Sequence, residues 1–365
     1  MKRRDFLTGA AAAGLAGAAA SSFPAPALSQ NMKEIRMVTT WPKNFPGLGT
    51  GAERLATRIT EGSEGKLTVK VYAAGELVPP FESFDAVSQG TADMYHAAEY
   101  YWQGKAKGFN FFAAVPYGLT ATEMNAWIYH GGGQEVWDEL SAQFKIKPFM
   151  AGNTGVQMGG WFANEVNTLE DFKGLKFRMP GIGGEVLRRL GVAAVALPGG
   201  EIFPALQSGA IDGTEWVGPW NDLAFGFHKI VKNYYYPGFH EPGTALGVGI
   251  NLDLWNSLTT GEQQLIASAC AAENGFTLAE FNAKNGASLK VLVDEHGVKV
   301  HKFSNELLNA IGRISGKVVA EVGNSDPMTK RIYESFLASR SSSIAWSKLG
   351  DQSYWNARLL PFKYG

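Results

Sequence analysis

The chain is poor in the residues that most enzymes and metal proteins lean on. Among 365 residues there is one cysteine, Cys270, and six scattered histidines. A lone cysteine excludes a disulfide scaffold, and neither C-x-x-C nor H-E-x-x-H spacing is present to hold zinc. Charged side chains make up only 18%, with 33 basic against 34 acidic and a formal net charge of −1. No basic stripe lies beyond the first residues, which argues against nucleic acid as a partner. The nucleophile elbow G-x-S-x-G is missing, so His130-Gly131-Gly132-Gly133 reads as a glycine-rich turn rather than a hydrolase oxyanion loop. Pro180-Gly181-Ile182-Gly183-Gly184 sits where a dinucleotide loop would, but Val186 stands at the last glycine of G-x-G-x-x-G.

What is present is apolar. The hydrophobic share is 45%, enough for a large core and two domains of ordinary size. Residues 1–29 read as an export signal. Lys2, Arg3 and Arg4 precede a small, apolar run from Phe6 to Ala20, and Ala27-Leu28-Ser29 fits a cleavage site. Arg3-Arg4-Asp5-Phe6-Leu7 looks like a twin-arginine signal; an ordinary secretory signal holding two arginines is the alternative. No later run is long and apolar enough to span a membrane, so the expected product is soluble and periplasmic.

The patterning then alternates. Glu34 to Thr40, Lys66 to Tyr72 and Ala92 to His96 read as strands, with helices at Gly49 to Glu64 and Phe81 to Gln89. Two helices over Thr120 to Phe144 follow. Ile146 to Gly152 and Val156 to Phe162 read as strands. A second β-α series comes next: strands at Gly174 to Arg178, Val192 to Leu197 and Ile211 to Trp216, helices at Gly184 to Leu190 and Ile202 to Gln207. Thr244 to Leu252 is a further strand. From Thr259 the chain is helical to Glu295, then over Asn305 to Val322 and Met328 to Ser353, with one strand, Val298 to Phe303. Thr259-x-x-Glu262 has the form of a capping box. The β-α order predicts parallel, crossover-connected sheets in two α/β lobes. The first is expected mainly over 30–150 with returning segments, the second mainly over 151–250, with a helical region at 259–365.

Several strand ends carry candidate chemistry. Ligands of open α/β sheets bind outside the carboxyl ends of strands. Arg178 ends one strand and offers a planar fork suited to a carboxylate; a surface salt bridge is the plainer reading. Asn153 to Trp161 is uncharged and rich in amides and glycines, which suits oxygen ligands or a polar small molecule, though a turn explains Asn153 as well. Glu215 ends another strand. Beside Gln157 it would make a hard-oxygen site for Na⁺ or Ca²⁺; alone it is a solvated or paired carboxylate. Tyr100-Tyr101-Trp102 and Tyr234-Tyr235-Tyr236 are either core or the walls of a pocket. The spread of the histidines speaks against a histidine ligand or base.

Leu175-Lys176-Phe177-Arg178, Gly75-Glu76-Leu77, Ala205 to Gly209 and Ile211 to Glu215, taken in order, resemble the solute-binding subunits of TRAP transporters. Asn153 to Phe162, Glu215 to Pro219 and Tyr234 to Gly238 resemble the subgroup that binds 2-oxo and 2-hydroxy monocarboxylates beside a metal ion. The resemblance implies a two-lobed periplasmic-binding-protein fold with a long lobe-spanning helix, closing on its ligand by hinge motion. It implies Arg178 as the holder of the substrate carboxylate, and Gln157, Glu215, the carbonyl of Trp216 and, less securely matched, Glu241 as ligands of Na⁺ or Ca²⁺. Asn153 and Tyr101 would hydrogen-bond the acid, with Tyr100 in place of Tyr101 as the alternative. Trp216 stands where many relatives have asparagine, which implies a smaller, drier pocket and disfavours sugar acids. The resemblance also implies membrane subunits as partners and a homodimer that exchanges the C-terminal helices. Competing classes are the binding protein of an ABC importer and an exported enzyme, the latter lacking the parts named above.

Overall fold

The computed structural model describes residues 32–363. The expected signal segment lies outside them. In chain order the strands are β1 (Lys33–Thr39), β2 (Leu67–Tyr72), β3 (Met94–Ala97), β4 (Ile146–Asn153), β5 (Gly160–Phe162), β6 (Lys176–Arg178), β7 (Ala193–Val195), β8 (Gly213–Thr214), β9 (Asn233–Tyr236), β10 (Ala245–Asn251) and β11 (Lys299–Lys302). The helices are α1 (Gly49–Gly62), α2 (Ser83–Ser88), α3 (Ala121–His130), α4 (Gly133–Ala142), α5 (Gly181–Arg189), α6 (Gly199–Gln207), α7 (Pro219–Phe225), α8 (Leu252–Ser257), α9 (Thr260–Asp294), α10 (Asn305–Gly323), α11 (Pro327–Ser347) and α12 (Asp351–Arg358).

Two sheets result, and neither is purely parallel. The first has the order β2-β1-β3-β10-β4, the second β11-β9-β5-β8-β6-β7. β1 pairs in parallel with β2 and β3, while β10 runs antiparallel between β3 and β4. In the second sheet β5 is antiparallel to β8 and β9, and β6 is parallel to β7 and β8. β10 falls inside the span expected for the second lobe, yet it pairs in the first sheet. Its run Ala-Leu-Gly-Val-Gly-Ile-Asn is buried on both faces, as a central strand requires. Gly249 is needed there, because a Cβ would meet the Tyr95 ring at 2.2 Å.

Three expected elements differ. The strand expected at Val156 to Phe162 is shortened to β5. Residues 154, 157 and 158 instead send their backbone N–H groups to other loops, as in Met158 N–H to Val217 O at 3.0 Å, and only Gly159 reaches a strand, at Tyr235 O of β9. The tyrosine run, read only as core or a pocket wall, forms the strand β9 between β11 and β5. The helix expected over Met328 to Ser353 breaks at Gly350 into α11 and α12.

The long helix α9 joins the halves. Its Thr259–Glu262 capping box is present. Ile266 and Cys270 pack into the core of the first sheet, while Phe281 and Leu292 pack into a core beside the second. α7 and β4 both lie against it.

Candidate functional site

Two chain segments cross between the sheets side by side: 154–159, from β4 to β5, and 237–244, from β9 to β10. They bond each other rather than a ladder. Thr154 N–H donates to Thr244 O at 3.0 Å, Gly238 N–H to Gln157 O at 2.9 Å, and Gln157 N–H to Glu241 O at 3.3 Å. Close approach explains Gly238, where a Cβ would lie 2.5 Å from the Gln157 carbonyl oxygen. Gly155, at φ +68°, supplies the left-handed turn that takes the chain off β4.

Gln157 is buried on this crossing. Its Nε2 donates to Thr154 Oγ1 at 3.0 Å and Thr244 Oγ1 at 2.8 Å. Its Oε1 has no hydrogen-bond partner. Thr244 Oγ1 in turn donates to Glu241. Asn153, at the end of β4, accepts from Gly155 N–H at 2.9 Å through Oδ1 and leaves Nδ2 without a partner.

Arg178 ends β6 and is only 1% exposed. Its Nε donates to Leu197 O at 3.1 Å and its Nη1 to Glu215 O at 3.2 Å; Nη1 also pairs with the Glu215 carboxylate. Nη2 is left without a partner. Burial opposes the guanidinium charge, and the adjacent Glu215 and Tyr101 more than offset that, holding its pKa above the usual value. Trp216 covers the guanidinium face at 5.0 Å, a cation–π contact. Edge contacts to Trp41, Phe45 and Phe225 fix the indole in turn.

Glu215 spends its second oxygen on His240 Nε2 at 3.2 Å. Glu215, His240 and Glu241 offer ligand atoms all within 4.8 Å of one another. Burial, then the neighbouring Glu215, pushes the Glu241 carboxyl well above its ordinary value. Burial also pushes the Tyr101 phenol up to about 12 and holds that of Tyr100 well above its ordinary value.

Trp41, Tyr100, Tyr101, Gln157, Trp216 and Thr244 are among the walls of a small cavity here, with about 10 Å³ of room for the centre of a water-sized molecule. The structure thus brings Arg178, Glu215, Trp216, Gln157, Glu241, Tyr100 and Tyr101 into one buried neighbourhood. Asn153 stands at its edge, on the strand that feeds the crossing. His240 was not anticipated; only its place beside Glu241 in the sequence could have marked it. Thr154 and Thr244 carried no signal of their own. The donor set, carboxylates and an unpartnered amide oxygen, suits a hard cation; the one nitrogen ligand atom is already held by Glu215.

The mixed two-sheet architecture, the helix shared by both cores and a buried charged cluster beside an aromatic-walled cavity fit a solute-binding protein. The chain belongs to the DctP family, the bacterial extracellular solute-binding proteins of family 7, whose model matches residues 37–326. It is 40% identical to the monocarboxylate 2-oxoacid-binding periplasmic protein of Nostoc sp., over 98% of both chains. A TRAP periplasmic solute-binding protein of Pseudoalteromonas atlantica, solved with sodium and pyruvate, matches with a TM-score of 0.86 and 39% identity, over 90% of this chain and 99% of that one. A TRAP transporter solute-binding protein of Bordetella bronchiseptica, solved as a mixed-occupancy dimer with calcium and picolinate in one active site, matches at 0.87 and 34%, over 89% and 96%.

Proposed function

We propose that the protein is the extracytoplasmic receptor of a TRAP transporter for a small 2-oxo or 2-hydroxy monocarboxylate, of pyruvate, 2-oxobutyrate or lactate size, bound together with Na⁺ or Ca²⁺. The observation that carries this is Arg178. A buried guanidinium with one unpartnered nitrogen, its face covered by Trp216 of a small aromatic-walled cavity, calls for a compact anion with an oxygen fork. The 2-oxoacid-binding relative from Nostoc and the pyruvate- and picolinate-bound neighbours support the class of acid.

In this reading Arg178 holds the carboxylate, Tyr101 or Tyr100 hydrogen-bonds it, and Asn153 adds a donor through Nδ2. Gln157 Oε1, Glu215 and the Trp216 carbonyl hold the cation. Glu241 faces the same cluster and is already engaged by Thr244, so it serves as a further ligand or as a support for Gln157. The cation supplies charge balance. Arg178 is already neutralised by Glu215, and an incoming carboxylate would otherwise sit as an uncompensated buried charge. The Trp216 indole closes off the space a sugar acid would need.

The two sheets are read as two lobes that close by rotation about the paired crossings 154–159 and 237–244, which would deliver the loaded form to the membrane subunits. Export by the N-terminal signal and a homodimer through the C-terminal helices belong to the same proposal. Among the described residues no helix is long and apolar enough to cross a membrane. Calorimetry on chelated, sodium-free protein tests the reading. Pyruvate, 2-oxobutyrate or lactate should bind once Na⁺ or Ca²⁺ is restored and bind weakly or not at all without it. Equal affinity in both conditions rejects the shared cation. No binding of any small monocarboxylate rejects the function.

A further inference from the structure

We propose that Asp222 is the positioning residue that turns the Trp216 carbonyl toward the cation. The inference rests on the role proposed above for that carbonyl. Trp216 and Val217 share one trans peptide, and a planar trans peptide points its C=O and its N–H in opposite directions. Whatever fixes the N–H therefore aims the C=O. Val217 N–H donates to Asp222 Oδ1 at 3.3 Å.

Asp222 is itself held from the far side. Its Oδ2 accepts from Trp161 Nε1 at 2.9 Å and from Tyr234 Oη at 2.7 Å. Trp161 lies on β5 and Tyr234 on β9, two adjacent strands of the second sheet, and their rings stack at 4.0 Å. The carboxylate is fully buried, with both oxygens used. It therefore ties the cation-bearing peptide to two paired strands of that sheet. The same short helix, α7, touches the other half of the molecule through Asn221 Nδ2, which donates to Pro46 O at 3.0 Å, and the shared helix α9 through Trp220 N–H, which donates to Asn285 Oδ1 at 3.1 Å. The cation seat and the contact between the halves thus sit on one turn of chain. Asp222 reaches neither acid nor cation in this scheme; it acts only through the peptide.

The sequence offers a direct readout. Trp216-Val217 is the sole Trp-Val pair in the chain, so carbonyl-¹³C tryptophan with ¹⁵N valine gives a single cross-peak reporting that peptide. In the native protein, Ca²⁺ with pyruvate should move the ¹³C shift, and the Val217 amide should be protected from exchange with and without the ion. In Asp222→Asn the amide oxygen is claimed by Trp161 and Tyr234, leaving an NH₂ toward Val217. The Val217 proton should then lose its hydrogen-bonded shift, the ion-induced ¹³C change should shrink, and Ca²⁺ affinity should fall about 10–100-fold, the usual scale for a support of a metal ligand. A role through charge alone would lower affinity but leave the Val217 shift unmoved, and that result overturns the proposal. So does an unprotected Val217 amide in the native protein, a measurement that needs no variant. A native ¹³C shift that ignores Ca²⁺ while pyruvate still binds instead removes the Trp216 carbonyl from the cation site, a failure of the reading beneath.

Discussion

Arg178 combines two features that rarely coexist: near-complete burial and a guanidinium nitrogen with nothing to donate to. Arg178→Lys should keep the fold, since the stem still fills its channel, but an ammonium cannot reproduce the fork. Acid affinity should fall by on the order of 2–4 kcal/mol in calorimetry, and a near-native affinity would rule out Arg178 as the carboxylate holder. A second buried charge behaves differently. Glu99 accepts from Tyr95 Oη at 2.9 Å and leaves Oε2 without a partner. Burial pushes its pKa from 4.5 up to about 8. Between those values the folded chain holds a proton that the unfolded chain has released, so this group's contribution to stability falls as pH rises through the window. Glu99→Gln should therefore stabilise the protein at about pH 8 by on the order of a few kcal/mol, and by little near pH 5. Urea unfolding at both pH values checks the sign; an equal difference at each would show that Glu99 is not the titrating group. Arg178 and Glu215 were legible in the sequence because both end strands, where ligands of α/β sheets collect. His240, Thr244 and Asp222 were not, because their partners arrive from other segments and no local pattern encodes a crossing.

Elements with strong local codes matched closely. The α9 boundaries follow from the Thr259–Glu262 box and an unbroken helical pattern, and β2 from the alternation of Leu67, Val69 and Val71 against Thr68 and Lys70. The misses have one cause. Residues 154–158 look extended and alternate acceptably, but the hydrogen bonds of Thr154, Gln157 and Met158 go to loops, and only the tertiary arrangement decides that. The reading of Tyr234 to Tyr236 as a pocket wall or core gave no hint that β9 joins β5 to β11. The start of α11 is a cap of the same kind as that of α9. Asp326 accepts from Thr329 N–H at 2.9 Å and from Thr329 Oγ1 at 2.6 Å, with Pro327 opening the helix. Asp326→Ala should cost about 1 kcal/mol, read as a lowered urea midpoint with unchanged slope. No change would mean that packing of Ile332 and Phe336 alone holds the helix end.

At the scale of the molecule, the tail divides where the sequence suggested a single exposed stripe. In the sequence, Ile332 and Phe336 fall with Ile344, Trp346, Leu349, Tyr354 and Trp355 on one amphipathic tail, and a lobe closed by its own helices offers little surface to cover them. Instead Ile332 and Phe336 are fully buried: Phe336 packs against Phe111 and Trp127, and Ile332 lies over Gly108, where a Cβ would meet it at 2.8 Å. Arg340 still bonds its own chain, through Tyr117 O at 2.9 Å. Beyond it the apolar side chains are open: Trp346 is 70% exposed, Leu349 73% and Leu359 80%. An exposed apolar run of this kind suits an association surface, and under the proposed homodimer a second copy would cover it twofold. The division sharpens the test. Truncation after Gly323 removes Ile332 and Phe336 from the core and should leave insoluble or unfolded protein, whatever the oligomeric state. Truncation after Ser343 removes the open part, together with one bond from Ser347 Oγ to Glu123 Oε1 at 2.6 Å, and should leave a folded protein that still binds its acid. Light scattering at micromolar concentration should then find a dimer for the full mature chain and a monomer for the shorter cut. A full chain that is monomeric, or a Ser343 truncation that stays dimeric, places the interface elsewhere.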